Sequence, residues 1–243
     1  MKNNTRQTKT FIGAMAVAAS AITVYAGVAS HAWHLSYAVA ILALAAGTSR
    51  MKVKLPGIDG NMSMNLPFLL MAVVNLSAVE AVVVACISTV VQCWPKSEGK
   101  FKPGQMLFNV SMMAFATSAA NLIWNAGWAG KSAWATEPLM LASATAAFFV
   151  GQTAPVATII KLAEGAAMRK VWMSLAQLSF PYFALSAGMT SMTNLVSHHF
   201  GWQVALVAFP VMYGVYRSYR LYFGAVAQPL PAVAMVRALS AGA

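Results

Sequence analysis

Asn75-Leu76-Ser77-Ala78-Val79-Glu80 interrupts an apolar stretch that runs from residue 65 to residue 92. At about 1.5 Å per residue, one straight helix of that length would measure about 42 Å. The hydrocarbon core of a bilayer is only about 30 Å thick. The hexapeptide also holds Ser-x-x-Glu, the capping-box pattern. In it the serine oxygen accepts from a free amide of the first turn, and the glutamate reaches back to the serine amide. One helix is therefore expected to end near Leu76 and a second to begin at Ser77. Each half would be about 18 Å long, too short to span a bilayer alone. The pair is expected to enter and return, as a re-entrant or hairpin element whose turn faces the bundle interior. Irregular backbone at membrane depth is tolerated there.

The charges test this independently. Lys and Arg gather on the cytoplasmic side of short loops. If 65–92 crossed once, with the N-terminus inside, seven of the sixteen basic residues would lie inside and nine outside. If 65–92 returns to its starting face, fifteen lie inside and only Lys131 outside. The second arrangement is the one expected.

The surrounding composition agrees. Of 243 residues, 59% are hydrophobic and 9% charged, against roughly 25% charged in ordinary globular proteins. This excludes a disulfide scaffold, a disordered tail and a soluble enzyme. The net charge of +11 lies in loops between apolar segments rather than on a soluble basic face, so nucleic acid is not an expected partner. Six further apolar segments, about 11–29, 33–47, 105–127, 138–160, 173–197 and 202–222, are each read as one crossing. The expectation is an all-α polytopic membrane protein with six transmembrane helices plus the helix pair at about 65–92. Residues 1–10 form a cytoplasmic N-terminal tail, 11–223 the membrane domain and 224–243 a cytoplasmic C-terminal tail. The first apolar run could be a secretory signal with Ser30-His31-Ala32 as cleavage site. Its length, and the apolar segment that follows, favour an uncleaved helix.

Turn signals at Pro56-Gly57 and Asp59-Gly60-Asn61, with alternation around Val53 and Leu55, allow a short hairpin at the membrane face. Residues 161–171 allow a short surface helix. Cys86 and Cys93 lack a usual zinc spacing and read as small apolar residues of one helix.

Three pieces of the chain resemble a known region. They are Lys52-Val53-Lys54-Leu55-Pro56-Gly57-Ile58-Asp59-Gly60-Asn61-Met62-Ser63, then Leu76-Ser77-Ala78-Val79-Glu80-Ala81, then Phe209-Pro210 through Tyr213-Gly214-Val215-Tyr216-Arg217-Ser218-Tyr219-Arg220-Leu221-Tyr222. Together, over about residues 10–223, they resemble the N-terminal multi-pass membrane sensor region of bacterial cyclic-di-GMP signalling proteins. In that family the region precedes an HD-GYP phosphodiesterase or a GGDEF cyclase domain. Here about twenty residues follow, with no His-Asp pair, no Gly-Tyr-Pro and no GGDEF-like run, so the resemblance implies no catalysis. It implies a sensing or partner-binding role in the bacterial inner membrane, with both termini cytoplasmic.

Glu80 is the one acid inside an apolar segment. It is either a structural cap or a proton- or cation-responsive group. If it is a cap alone, Glu80→Gln should be nearly harmless. Asn75, Asn109, Asn121, Asn125, Gln152, Gln177 and Asn194 either hydrogen-bond between helices or line a polar pocket, with Asn75, Asn121 and Gln152 beside Glu80. His31, His34, His198 and His199 lie at the expected outer face. They sit there as interfacial side chains, or they bind a divalent metal through imidazole; no other cofactor is expected. The sixteen methionines are scattered and read as packing. Tyr216, Arg217, Tyr219 and Arg220 are a headgroup anchor or a transmitter that a partner grips. The expected partners are the lipid bilayer and a cytoplasmic or membrane signalling protein. Five acids and no paired acid–base set leave no catalytic mechanism. The alternative function is a small-solute transporter or substrate-binding membrane subunit, because many transporters build their sites at broken helices.

Overall fold

The structure, a computed structural model, describes residues 2–28, 34–54, 61–95, 102–126, 136–201 and 203–227. Eight helices and one two-stranded hairpin account for nearly all of them. Helix α1 (Lys2–Val28) already begins within the polar residues that precede the apolar run. Helix α2 (Leu35–Ser49) leads into the expected hairpin. There β1 (Lys52–Lys54) pairs antiparallel with β2 (Asn61–Ser63), with Val53 opposite Met62. Val53 is buried and Lys52 is exposed, the alternation a pleated strand imposes. Ser63 Oγ donates to the Ser49 carbonyl at 2.9 Å, which ties the hairpin to the end of α2.

The long apolar stretch is broken where the capping box lies. Helix α3 (Leu66–Asn75) ends at Leu76, which is extended. Helix α4 (Ala78–Cys93) begins after Ser77, also extended. The halves are unequal rather than matched. Their 10 and 16 residues give lengths of about 15 and 24 Å. The pair starts and finishes at the same end of the bundle: Lys52 of β1, paired with Ser63 shortly before α3, donates through Nζ to the Gln92 carbonyl near the end of α4 at 2.6 Å. Helix α3 is the most enclosed element. Every residue from Met64 to Val73 is buried, and α3 packs against α2, α4, α5 and α7.

Helix α5 (Pro103–Asn125) forms the other axis of the bundle, against α1, α4 and α6 (Thr136–Glu164). Where α5 meets α6, a Cβ built on Gly151 would stand 3.1 Å from the Ala116 Cα. Small residues permit such close helix approach in membrane proteins. No separate surface helix occupies 161–171. Helix α6 continues to Glu164, and Gly165 closes it at φ 73°, its amide donating to the Lys161 carbonyl at 2.9 Å. Glycine suits that left-handed position, a common helix stop. Helix α7 (Met168–Phe200) follows at once, and α8 (Val204–Ala227) ends the described chain. Among the described residues, three helices are long and apolar enough to cross a membrane, over Arg6–Val28, Pro103–Asn125 and Glu137–Glu164; α2, α3 and α4 are shorter apolar helices.

Candidate functional site

Breaking a helix inside a bundle frees amides at one end and carbonyls at the other. Around the α3–α4 break, hydrogen bonds come from three elements. Glu80 N–H donates to Ser77 Oγ at 3.3 Å, and Glu80 Oε2 accepts from Ser77 N–H at 3.1 Å and from Ser77 Oγ at 2.7 Å. Glu80 Oε1 accepts from the backbone N–H of His34 at 2.8 Å. His34 is the N-cap of α2. One buried carboxylate thus sits where the N-termini of α2 and α4 converge, and the positive ends of both helix dipoles favour its charge. On the other side of the break, Asn121 of α5, itself buried, donates through Nδ2 to the Val73 carbonyl at 3.0 Å. Asn125 Nδ2 then donates to Asn121 Oδ1 at 3.1 Å. Asn75 turns back on its own helix, to the Met71 carbonyl at 3.1 Å.

The expected grouping of Asn121 and Gln152 with Glu80 does not form. Asn121 is used on the α3 carbonyl, and Gln152 lies toward the opposite end of the bundle. There it lines a cavity of about 1050 Å³ that neither Glu80 nor Asn121 reaches. The cavity lies between α1, α3, α4, α5, α6 and α7. Leu69, Met113, Phe148 and Phe183 supply apolar wall, and Lys9, Lys102 and Glu164, all exposed, mark its mouth. Among the described residues, Gln152 Nε2 reaches only the Met113 sulfur, at 3.5 Å.

Two lining residues were not singled out from the sequence. Tyr182 of α7 is buried, and its hydroxyl accepts from the Leu66 N–H at 3.2 Å, beside the first turn of α3. Its ring also packs edge-on to Tyr219 of α8, with centroids 6.3 Å apart. Asn65 precedes α3 as its N-cap, yet its side chain makes no cap bond. Its Nδ2 is buried and has no hydrogen-bond partner among the described residues, a condition that costs about 1–3 kcal/mol. An asparagine just before Leu66-Pro67 was the available signal, since proline favours the first helical turn.

The remaining candidates separate. His31 lies outside the described residues. His198 and His199 lie in the last turn of α7, where only their backbone is described. His34 is exposed, and among the described residues no three His, Cys, Asp or Glu side chains gather as a metal site. Glu137, unremarked in the sequence, accepts from Asn194 Nδ2 and joins the start of α6 to α7. Cys86 and Cys93 are free thiols, and Asn109 Nδ2 donates to Cys93 Sγ at 3.2 Å. At the far end of α8, Tyr216 and Tyr219 pack against the core while Arg217 and Arg220 are exposed.

No curated protein and no solved structure matches the chain. A family of membrane-associated sensory domains does: the MASE9 model matches residues 17–222, from α1 to the Tyr-Arg end of α8. The match takes in the broken helix pair, the cavity lining from β2 to α7 and the aromatic end of the last helix, and this chain belongs to the MASE9 family.

Proposed function

We propose that the chain is a non-catalytic membrane input module that receives a signal within the bundle and passes it to a cytoplasmic or membrane signalling protein. MASE9 membership supports the sensory role. The observation that carries the reading is a line of contact. Tyr182 lines the cavity, holds the first turn of α3 through the Leu66 amide, and packs on Tyr219 at the end of α8. A change in the cavity would act on Tyr182 and so on the exposed Arg217 and Arg220 beside Tyr219. In this reading α1, α2, α5, α6, α7 and α8 each cross the bacterial inner membrane once. The α3–α4 pair returns to the cytoplasmic face, and both termini are cytoplasmic. The distribution of Lys and Arg supports that orientation.

The output partner belongs to cyclic-di-GMP signalling, on the resemblance of the Leu-Pro-Gly loop, the Glu80 segment and the Tyr-Arg end. Contact alone does not establish coupling; substitution does. The test joins a diguanylate cyclase domain after α8 and measures cyclic-di-GMP at matched expression. Tyr219→Ala and Tyr182→Phe should each change output about 2- to 30-fold, the span of a 0.5–2 kcal/mol coupling. Unchanged output in both would contradict the reading. A transporter would place its site at the helix break. The cavity lies toward the other end of α3 and does not include Glu80, which favours reception over passage.

A further inference from the structure

Asparagine is a preferred N-cap because its side-chain oxygen accepts from the first free amides of the helix while its own backbone stays extended. Asn65 stands at that position with helical angles, φ −95° and ψ −6°, and its side chain does not cap. The residue is only 4% exposed and lines the cavity, and its Nδ2 has no partner among the described residues. A donor buried without an acceptor weakens the free protein. Such a group is useful where a molecule from outside supplies the acceptor.

The rest of the cavity limits what that molecule is. About 1050 Å³ is at the upper end of the range for small-molecule sites, and far more than one ion or water needs. Carbon dominates the wall through Leu66, Leu69, Met112, Met113, Phe148 and Phe183. Apart from three charged residues, the polar groups that line the cavity with Asn65 are neutral, among them Gln152, Thr153, Ser179 and Tyr182. Thr153 already accepts from the Trp172 indole at 3.1 Å and donates to the Phe149 carbonyl at 2.7 Å. The three charged lining residues, Lys9, Lys102 and Glu164, are exposed. An anion drawn to Asn65 would lose water without gaining a buried cation, which is costly.

We propose that the cavity binds a neutral lipophilic molecule through a carbonyl oxygen that accepts a hydrogen bond from Asn65 Nδ2. Two kinds of bilayer molecule carry that group on a hydrocarbon frame, an acyl ester and a quinone ring. The proposal rests on the membrane-input reading for the source of the ligand, while binding itself is read directly on the purified chain.

The experiment uses the full chain in dodecyl maltoside, which has no carbonyl. Thermal midpoints are followed against ligand concentration, since a ligand that binds only the folded state stabilises it by an amount that grows with the logarithm of its concentration over Kd. The probes are mono-oleoylglycerol for the ester and decyl-benzoquinone for the ring. Hexadecane, without an acceptor, and palmitate, charged, are the controls. One carbonyl probe should bind saturably, and about tenfold or more tighter than either control, as expected for one buried hydrogen bond. The arm that binds identifies the source.

Asn65→Leu and Asn65→Ser should each weaken that binding about tenfold or more. Serine suits the same cap position, so one variant remains if the other fails to fold. Without ligand, both variants should melt no lower than wild type, because leucine removes the orphan donor and serine replaces it with a short hydroxyl that can cap the first free amides of α3. A positional role for Asn65 would instead lower the midpoint. Binding unchanged in both variants, equal binding of hexadecane, or no response to either carbonyl probe overturns the proposal. The cyclase fusion is measured in parallel. Binding without any effect on output would sink the input-module reading and leave the site. Coupled output without carbonyl binding would sink the ligand and leave the module.

Discussion

Replacing Glu80 by glutamine separates a simple helix cap from the junction seen here. A cap uses one acceptor, and glutamine keeps one. Both Glu80 oxygens accept, Oε1 from His34 N–H and Oε2 from Ser77. Glutamine would turn an amide NH₂ toward one of those donors. Glu80→Gln should therefore cost about 1–3 kcal/mol, read as loss of stability in detergent, and not be nearly harmless as the capping box alone suggested. Ser77→Ala, which removes a cap oxygen, should cost about 1 kcal/mol. A Glu80→Gln loss no larger than that of Ser77→Ala would return the carboxylate to a cap of α4 alone. The Ser-x-x-Glu pair was legible because both partners lie within one turn. The His34 amide was not, because 46 residues separate it from Glu80 and no local pattern carries that pairing. Asn65 escaped notice for a related reason: an asparagine before Leu66-Pro67 looks like an ordinary cap, and only the structure shows that it does not act as one.

At the scale of elements, the close approach of α5 and α6 turns on a glycine. A side chain on Gly151 would meet the backbone of Ala116 on α5, not the yielding end of a long side chain. Gly151→Leu should thus lower stability by about 1–3 kcal/mol, the typical penalty for overpacking. Gly188 on α7 is the control, with nothing within 4 Å of an added Cβ. Gly188→Ala should be neutral or stabilising by up to about 1 kcal/mol. Equal effects at both positions, measured by thermal unfolding in one detergent, would mean that the α5–α6 contact is not tight. The long helices, the hairpin and the break in 65–92 were all legible, since apolar length, turn residues and a capping pattern are local signals. The unequal lengths of α3 and α4 were not, because the start of α3 is set by tertiary bonds, Leu66 N–H to Tyr182 and Ser63 to the end of α2. The break between α6 and α7 was misjudged for a different reason. Charged residues at 161–171 suggested a separate surface element, but Gly165 alone stops one helix and lets the next begin.

Across the whole molecule, the buried α3–α4 pair organises both ends of the bundle. At one end Glu80 and Asn121 close the break; at the other, α3 meets the hairpin, the cavity and Tyr182. In the proposed topology, its start and finish at one end would make every later helix run in the sense that gathers Lys and Arg on a single face. The measurement that tests this most directly is cysteine accessibility in a Cys86→Ala, Cys93→Ala background. Single cysteines replace Arg50, Lys102 and Ala126, all exposed, and a membrane-impermeant maleimide is applied to intact cells and to inside-out vesicles. Positions 50 and 102 should both stay unlabelled in cells and react in inverted vesicles, while position 126 does the reverse. Labelling of 50 and 102 from opposite sides would make residues 66–93 a single crossing and contradict the account.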